Sequence, residues 1–144
     1  APKTVENFKK YVANKFYNGL IFHRIIDNFM IQGGGFDENM MQRKTNAPII
    51  NESSNGLKNK LYTLAMARTN DPNSATSQFF INLLNNSFLD YSGKSANKIG
   101  YCVFGSVIEG KEIVAKVGKF STHTKNGFSD VPIKTVVIKS IKQR

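Results

Sequence analysis

This chain has no tryptophan, one cysteine, two histidines and four prolines in 144 residues. A lone cysteine forms no internal disulfide, so burial and hydrogen bonding must hold the fold. His23, His123 and Cys102 offer no close ligand spacing, which argues against a resident metal site. Gly33-Gly34-Gly35 lacks both the G-x-G-x-x-G spacing and the Gly-Lys-Ser/Thr ending of phosphate loops, and no cofactor is expected. No apolar run approaches the ~18 to 20 residues that a membrane helix needs. Acidic residues are scarce: 10 Asp and Glu stand against 20 Lys and Arg, a formal charge of +10.

What remains is a chain that is 40% hydrophobic, with no linker, repeat or low-complexity segment. That is enough for one sizeable core and too short for two ordinary domains, so residues 1–144 read as a single domain. Pro2 and Thr4 are start signals for a helix, and Val5, Phe8 and Val12 follow at helical spacing. Strands are expected at Leu20 to Gln32 with a bend, Leu61 to Met66, Gln78 to Leu83, Tyr101 to Ile108 and Ile133 to Ile141. A second short helix fits Lys111 to Val117. Asn-, Ser- and Gly-rich loops separate them, notably Asn51 to Asn59, Thr69 to Thr76 and Tyr91 to Gly100. Short strands with two helices predict a mainly β fold, a closed or nearly closed antiparallel barrel capped by helices.

One cation stands in the most apolar stretch, FHRIIDNFMIQGG. Arginine is almost never buried without a partner, so Arg24 among Phe22, Ile25, Phe29 and Met30 belongs either to an ion pair or to a site. Alternation puts Arg24 on one face with Phe22 and Ile26. Asp27-Asn28 suits a turn, after which Met30 and Gln32 share a face while Phe29 and Ile31 take the other. Such a hairpin brings a guanidinium, an amide and apolar side chains into one shallow patch.

Three segments in order carry a resemblance. FHRIIDNFMIQGGGF, LAMARTNDPNSATSQFFINL and YCVFGSVIEG resemble the signatures of the cyclophilin family of peptidyl-prolyl cis-trans isomerases, in its bacterial branch. The resemblance implies a closed antiparallel eight-stranded barrel and an isomerase acting on proline-containing peptides and unfolded proteins. It implies Arg24 as the catalytic residue, with His23, Phe29, Met30 and Gln32 as pocket neighbours. Ala67 and Arg68 fall on the segment that pairs with the substrate backbone, followed by Gln78 and Phe80. Phe29, Met30 and Phe80, with Phe88 and Leu89 nearby, would hold the proline ring, and Tyr101 closes the group. Phe88 stands where many eukaryotic members carry tryptophan, which implies weak cyclosporin binding. Read on its own, His23 is a packed, hydrogen-bonded ring rather than an acid or base, because bond rotation transfers no proton.

The chain begins at Ala1, where the family normally carries roughly a further strand pair. The barrel is therefore expected to be N-terminally incomplete, with open edges. A cytoplasmic monomer is expected, with the periplasm as alternative if a signal peptide precedes Ala1. Positive charge raises nucleic-acid binding as a second class of function. Lys111 to Arg144 holds eight basic residues against Glu112 and Asp130. These are singly spaced lysines without a basic-aromatic platform, which favours a solvated surface and no specific nucleic-acid or membrane partner.

Overall fold

Pro2 opens the first helix, α1 (Pro2–Ala13), at the position where its missing N–H costs nothing. In the computed structural model, which describes residues 1–144, the buried stripe of α1 runs through Thr4, Asn7, Tyr11 and Val12. Its two polar members are paired: the Thr4 hydroxyl donates to Glu52 at 2.7 Å and Asn7 Nδ2 to the Thr76 carbonyl at 2.8 Å. Phe8, on the same side, meets Phe79 edge-on with ring centroids 5.6 Å apart.

Five strands form the main sheet: β1 (Arg24–Ile26), β2 (Met30–Gly33), β3 (Thr63–Met66), β4 (Phe79–Asn82) and β5 (Val103–Ser106). Their spatial order is β1-β2-β4-β3-β5, and every pair is antiparallel. Asn28 carries the turn between β1 and β2 with φ of 59°, a left-handed conformation that Asn tolerates. The register aligns Arg24, Gln32, Phe80, Ala65 and Val103 across the sheet. The next row, Ile25, Ile31, Ile81 and Leu64, points to the opposite face. There the three isoleucines form an apolar cluster with Val114 and Val117 of the second helix, α2 (Lys111–Gly118). Phe79 and Met66 on that same face join Tyr11, Tyr17 and Leu20 in the main core. One face is thus buried under the helices and the other is left to carry a cavity.

The expected closed eight-stranded barrel is not what the chain forms. Seven strands make two separate sheets, the second being a hairpin of β6 (Thr122–Lys125) and β7 (Phe128–Pro132). No ladder closes the main sheet between its edges, β1 and β5. Leu20 to His23, expected to extend the first strand, contributes only isolated bridges from Leu20 to Asp37 and from Ile21 to Val137. Ile133 to Ile141, expected as a strand, runs beside Gly19–Phe22 through a few backbone bonds around Val136 and Ile138. β7 ends at Pro132, and one further backbone bond, from Ile133 N–H to the Ser121 carbonyl at 2.9 Å, is all that extends the hairpin into that segment. The β6–β7 hairpin was missed in a polar stretch whose turn was nonetheless announced by Asn126-Gly127. Both residues have positive φ, 50° and 81°, as a type I′ turn demands.

Phe79 is the centre of the aromatic cluster, edge-on to Phe8, Tyr17 and Phe22 at 5.6, 5.6 and 5.9 Å. Phe79→Ala is expected to destabilise the chain by about 3–5 kcal/mol. Urea unfolding measures it, and a loss below about 1 kcal/mol would contradict this view of the core.

Candidate active site

The open face of the sheet carries a cavity of about 170 Å³ lined by Arg24, Phe29, Met30, Gln32, Ala67, Arg68, Phe80, Leu89 and Tyr101. Arg24 and Gln32 are cross-strand partners at one end of the β1–β2 hairpin, and Phe80 sits beside Gln32 on β4. Met30 shares the face of Gln32 two residues away. Alternation had placed Phe29 on the other face; it reaches the cavity because it belongs to the turn, where the alternation of a strand does not apply. Phe22 departs in the other direction. It lies ahead of β1 and packs into the core against Phe79.

The guanidinium of Arg24 has no carboxylate within ion-pair distance; the ion pairs of the chain are Glu6–Lys10 and Asp27–Lys119. Its protein acceptor is Gln32 Oε1, at 3.4 Å. Gln32 Nε2 in turn donates to Gln78 Oε1 at 3.0 Å. A half-buried cation is therefore oriented by a neutral amide while most of its donors stay uncommitted. The ion-pair alternative for Arg24 is excluded by this geometry.

The rest of the lining is largely apolar. Met30, Phe80 and Leu89 are buried, and Tyr101 stands edge-on to Phe80 at 5.8 Å. The Arg68 guanidinium lies over the Tyr101 ring, 4.5 Å from its centroid, and donates to the carbonyls of Gly100 and Thr69. Its charge is spent on the wall, unlike that of Arg24. Ala67 donates its N–H to the Gln78 carbonyl at 3.0 Å, and its own carbonyl has no protein donor.

Three residues expected at the pocket lie around it. Gln78 is behind Gln32, packed over Gly35, where an added Cβ would stand 2.5 Å from Gln78 Cγ. Phe88 is 74% exposed at the rim, stacked on Phe29 at 5.7 Å, and faces a neighbouring polar cavity. His23 points away from the cavity and packs on Phe36 at 4.7 Å. Its Nδ1 is a buried polar atom without a partner, contrary to the hydrogen-bonded ring expected from sequence. Sequence reading missed Asn59, Asn82 and Asn86, which are buried directly behind the cavity wall. Nothing in their spacing marked them: Asn59 and Asn86 stand among other loop asparagines and Asn82 at the end of β4.

A partly buried arginine donor facing a small apolar hollow, with no nucleophile, base or metal cluster beside it, defines a site that binds and polarises without covalent chemistry. The comparisons give that class its name. The family model for cyclophilin type peptidyl-prolyl cis-trans isomerases matches residues 1–143, and the chain belongs to this family. It is 56% identical over 142 residues to peptidyl-prolyl cis-trans isomerase cyp18 of Streptomyces antibioticus, covering 99% of this chain and 86% of that protein. It is 52% identical over 141 residues to peptidyl-prolyl cis-trans isomerase B of Escherichia coli, covering 98% and 86%. A Cryptosporidium parvum cyclophilin type peptidyl-prolyl cis-trans isomerase, crystallised in the presence of the dipeptide Ala-Pro, superposes with a TM-score of 0.75 at 28% identity. That match covers 96% of this chain and 83% of the other. The family read from the three segments is thus borne out over residues 1–143, while the closed barrel it implied is not formed.

Burial, and secondarily the charge of Arg24, hold the His23 imidazole down to about 4, from 6.5. Between these values the unfolded ring carries a proton that the folded ring does not, so unfolding takes up a proton. Stability contributed by neutral His23 is complete above pH 6.5 and is lost as pH falls towards 4. Urea unfolding should show a loss of about 2 kcal/mol between pH 7 and pH 5. The dependence should vanish in His23→Phe, and an unchanged slope in that variant would remove His23 as the cause.

Proposed function

We propose that this chain catalyses X-Pro isomerisation by donating a hydrogen bond from Arg24 to the prolyl nitrogen as the amide twists. The observation that carries this reading is the uncommitted guanidinium of Arg24 at the edge of an apolar hollow, with no carboxylate to neutralise it. Planar amides resist rotation with a barrier of about 18–20 kcal/mol, because resonance draws the nitrogen lone pair into the C–N bond. Rotation returns that lone pair to a pyramidal nitrogen, which then accepts a hydrogen bond that the planar form accepts poorly. A donor placed for the twisted state stabilises the transition state over both isomers. Guanidinium suits the task because it stays protonated and offers fixed donors.

Each neighbour supports that donor. Gln32 has its oxygen on Arg24 and its nitrogen on Gln78, so its role is to orient the guanidinium. Phe29, Met30, Phe80 and Leu89 hold the ring in a cavity well below the ~300–1,000 Å³ of drug-sized sites, suited to one small ring. Their apolar surface keeps local screening low, which strengthens the cationic donor. The unpaired carbonyl of Ala67 offers the substrate backbone an acceptor. Exposed X-Pro segments of unfolded proteins are the natural substrate class, taken by a monomer without a cofactor. Cyclosporin binds weakly, since Phe88 supplies no N–H donor at the rim and the chain has no tryptophan. The excess of lysines is a solvated surface rather than a nucleic-acid site.

A protease-coupled assay on an X-Pro peptide tests the mechanism. Arg24→Ala is expected to lower kcat/KM by about a hundredfold, a magnitude typical of removing one transition-state donor. Full activity in that variant would sink the mechanism. In the same assay cyclosporin should fail to inhibit at nanomolar concentration; nanomolar inhibition would overturn the account of Phe88.

A further inference from the structure

The polar interior behind the cavity is organised around one loop residue. Asn59 is 1% exposed, and each of its polar atoms is engaged. Its backbone N–H donates to Asp90 Oδ1 at 2.6 Å, and its backbone carbonyl accepts from Asn86 N at 2.8 Å. Side-chain Nδ2 points to the carbonyls of Leu89 at 3.2 Å and Tyr101 at 3.3 Å and to Asp90 Oδ1 at 3.1 Å. Side-chain Oδ1 accepts from Asn82 Nδ2 at 3.1 Å. Asn82, fully buried on the cavity-side face of β4, passes the chain on by accepting from Asn86 Nδ2 at 2.8 Å. Asn86 Nδ2 also donates to the Phe29 carbonyl at 2.9 Å.

The network reaches the backbone carbonyls of Phe29, Leu89 and Tyr101, all of which line the cavity; its other branch, from Asn82 Nδ2, goes to Thr63, at Oγ1 3.0 Å and at the carbonyl 3.5 Å, outside the lining. They come from three separate segments: the β1–β2 turn, the short 3₁₀ turn Ser87–Leu89 and the approach to β5. No apolar side chain fixes three carbonyls at once. The Asn59 carboxamide meets two of them and the Asn86 carboxamide the third, because such a group donates and accepts from one rigid unit, and in a buried site its bonds are costly to exchange.

We infer that Asn59, acting with Asn82 and Asn86, is a positioning residue for the proline pocket: it sets the spacing of the Phe29, Leu89 and Tyr101 walls that grip the ring. This rests on the reading of the cavity as the proline site. Arg24 and Gln32 stand on the other wall and have no bond to the network. The apolar walls hold the ring in planar and twisted states alike, so loosening them removes uniform binding rather than transition-state binding.

The test is steady-state prolyl-isomerase kinetics well below each variant's Tm. Asn59→Ala is expected to raise KM about fivefold or more while kcat stays within about twofold. Asn86→Ala should give the same split, since it removes the side-chain bond to the Phe29 carbonyl, leaving that carbonyl only its backbone bond from Leu83 N, while Asn59 stays in place; it decides the matter if Asn59→Ala does not fold. Asn7→Ala is the control: it also takes a buried carboxamide from a backbone carbonyl, at Thr76 and outside the cavity lining, and should lower Tm with KM unchanged. An unchanged KM in the network variants, or an equal rise in the control, would overturn the inference. Absence of isomerase activity in the unmodified chain would instead overturn the reading of the site itself.

Discussion

Strand register is the constraint on which everything else in this molecule depends. The antiparallel pairing sets Arg24 against Gln32, Gln32 against Phe80, and Phe80 against Ala65, so a donor, its orienting amide and the pocket floor fall on one line. The adjacent line, Ile25, Ile31, Ile81 and Leu64, packs under α2. Because side chains alternate with a period of two, a slip of one residue in β1 would turn Arg24 into the helix-covered core and an isoleucine out to the cavity. The burial of the isoleucines and the placement of the guanidinium are the same fact seen from two faces. Hydrophobic burial on one side thus holds a cation in position on the other, without any ion pair to do so.

That arrangement explains why so much of the site was legible in sequence and why certain residues were not. Arg24, Met30 and Gln32 obey strand alternation, which can be read from the chain, whereas Phe80 stands in the unbroken apolar run Phe79-Phe80-Ile81 and was placed only by the resemblance. Phe29 escaped it because a left-handed Asn28 turns the backbone between the strands. Helix α1 was legible from Pro2 and its spacing, although its buried stripe includes Thr4 and Asn7, polar residues that become buried only because Glu52 and the Thr76 carbonyl wait for them. Such partners are 48 and 69 residues away in the chain, beyond any local pattern. The barrel failed for a related reason. Closure depends on whether edges meet in a ladder, and the alternating residues from Ile133 to Ile141 fit a strand whether or not an edge stands ready to receive them. The hairpin at Asn126-Gly127 shows the reverse: its turn was written plainly, but polar flanks concealed the strands.

Two kinds of rigidity meet at the cavity. The wall bearing Arg24 and Gln32 is a hairpin fixed by a backbone ladder and by the isoleucines beneath it. The rest of the lining comes from the β1–β2 turn, a 3₁₀ segment and a loop, joined by single backbone bonds, Tyr101 N–H to the Leu89 carbonyl and Leu83 N–H to the Phe29 carbonyl, rather than by a ladder. Loops left to themselves sample many arrangements, and a ring held between them would be held loosely. Asparagines in place of apolar residues behind this wall make sense on those terms. Apolar packing is non-directional and tolerates sliding, whereas a satisfied carboxamide network fixes the direction as well as the distance of the carbonyls it meets. Asparagine-rich loops, which by composition alone suggest mere solvated connections, here supply Asn59 and Asn86, which with Asn82 of β4 add side-chain bonds to the backbone bonds between these segments.

The division of labour has a consequence for catalysis. A rotation catalyst has to hold the proline ring still while the preceding carbonyl swings, and it has to place a donor that becomes useful only midway. The first task requires a pocket indifferent to the state of the amide; the second requires a group selective for the twisted one. Arg24 is oriented by one bond of 3.4 Å to a neutral amide, which leaves the guanidinium free to adjust towards a nitrogen whose geometry changes during the reaction. A carboxylate partner would have fixed the arginine more firmly and drawn its charge away from the lone pair it has to meet. The absence of that partner leaves a half-buried cation with donors to spare, which is what the proposed role asks of it.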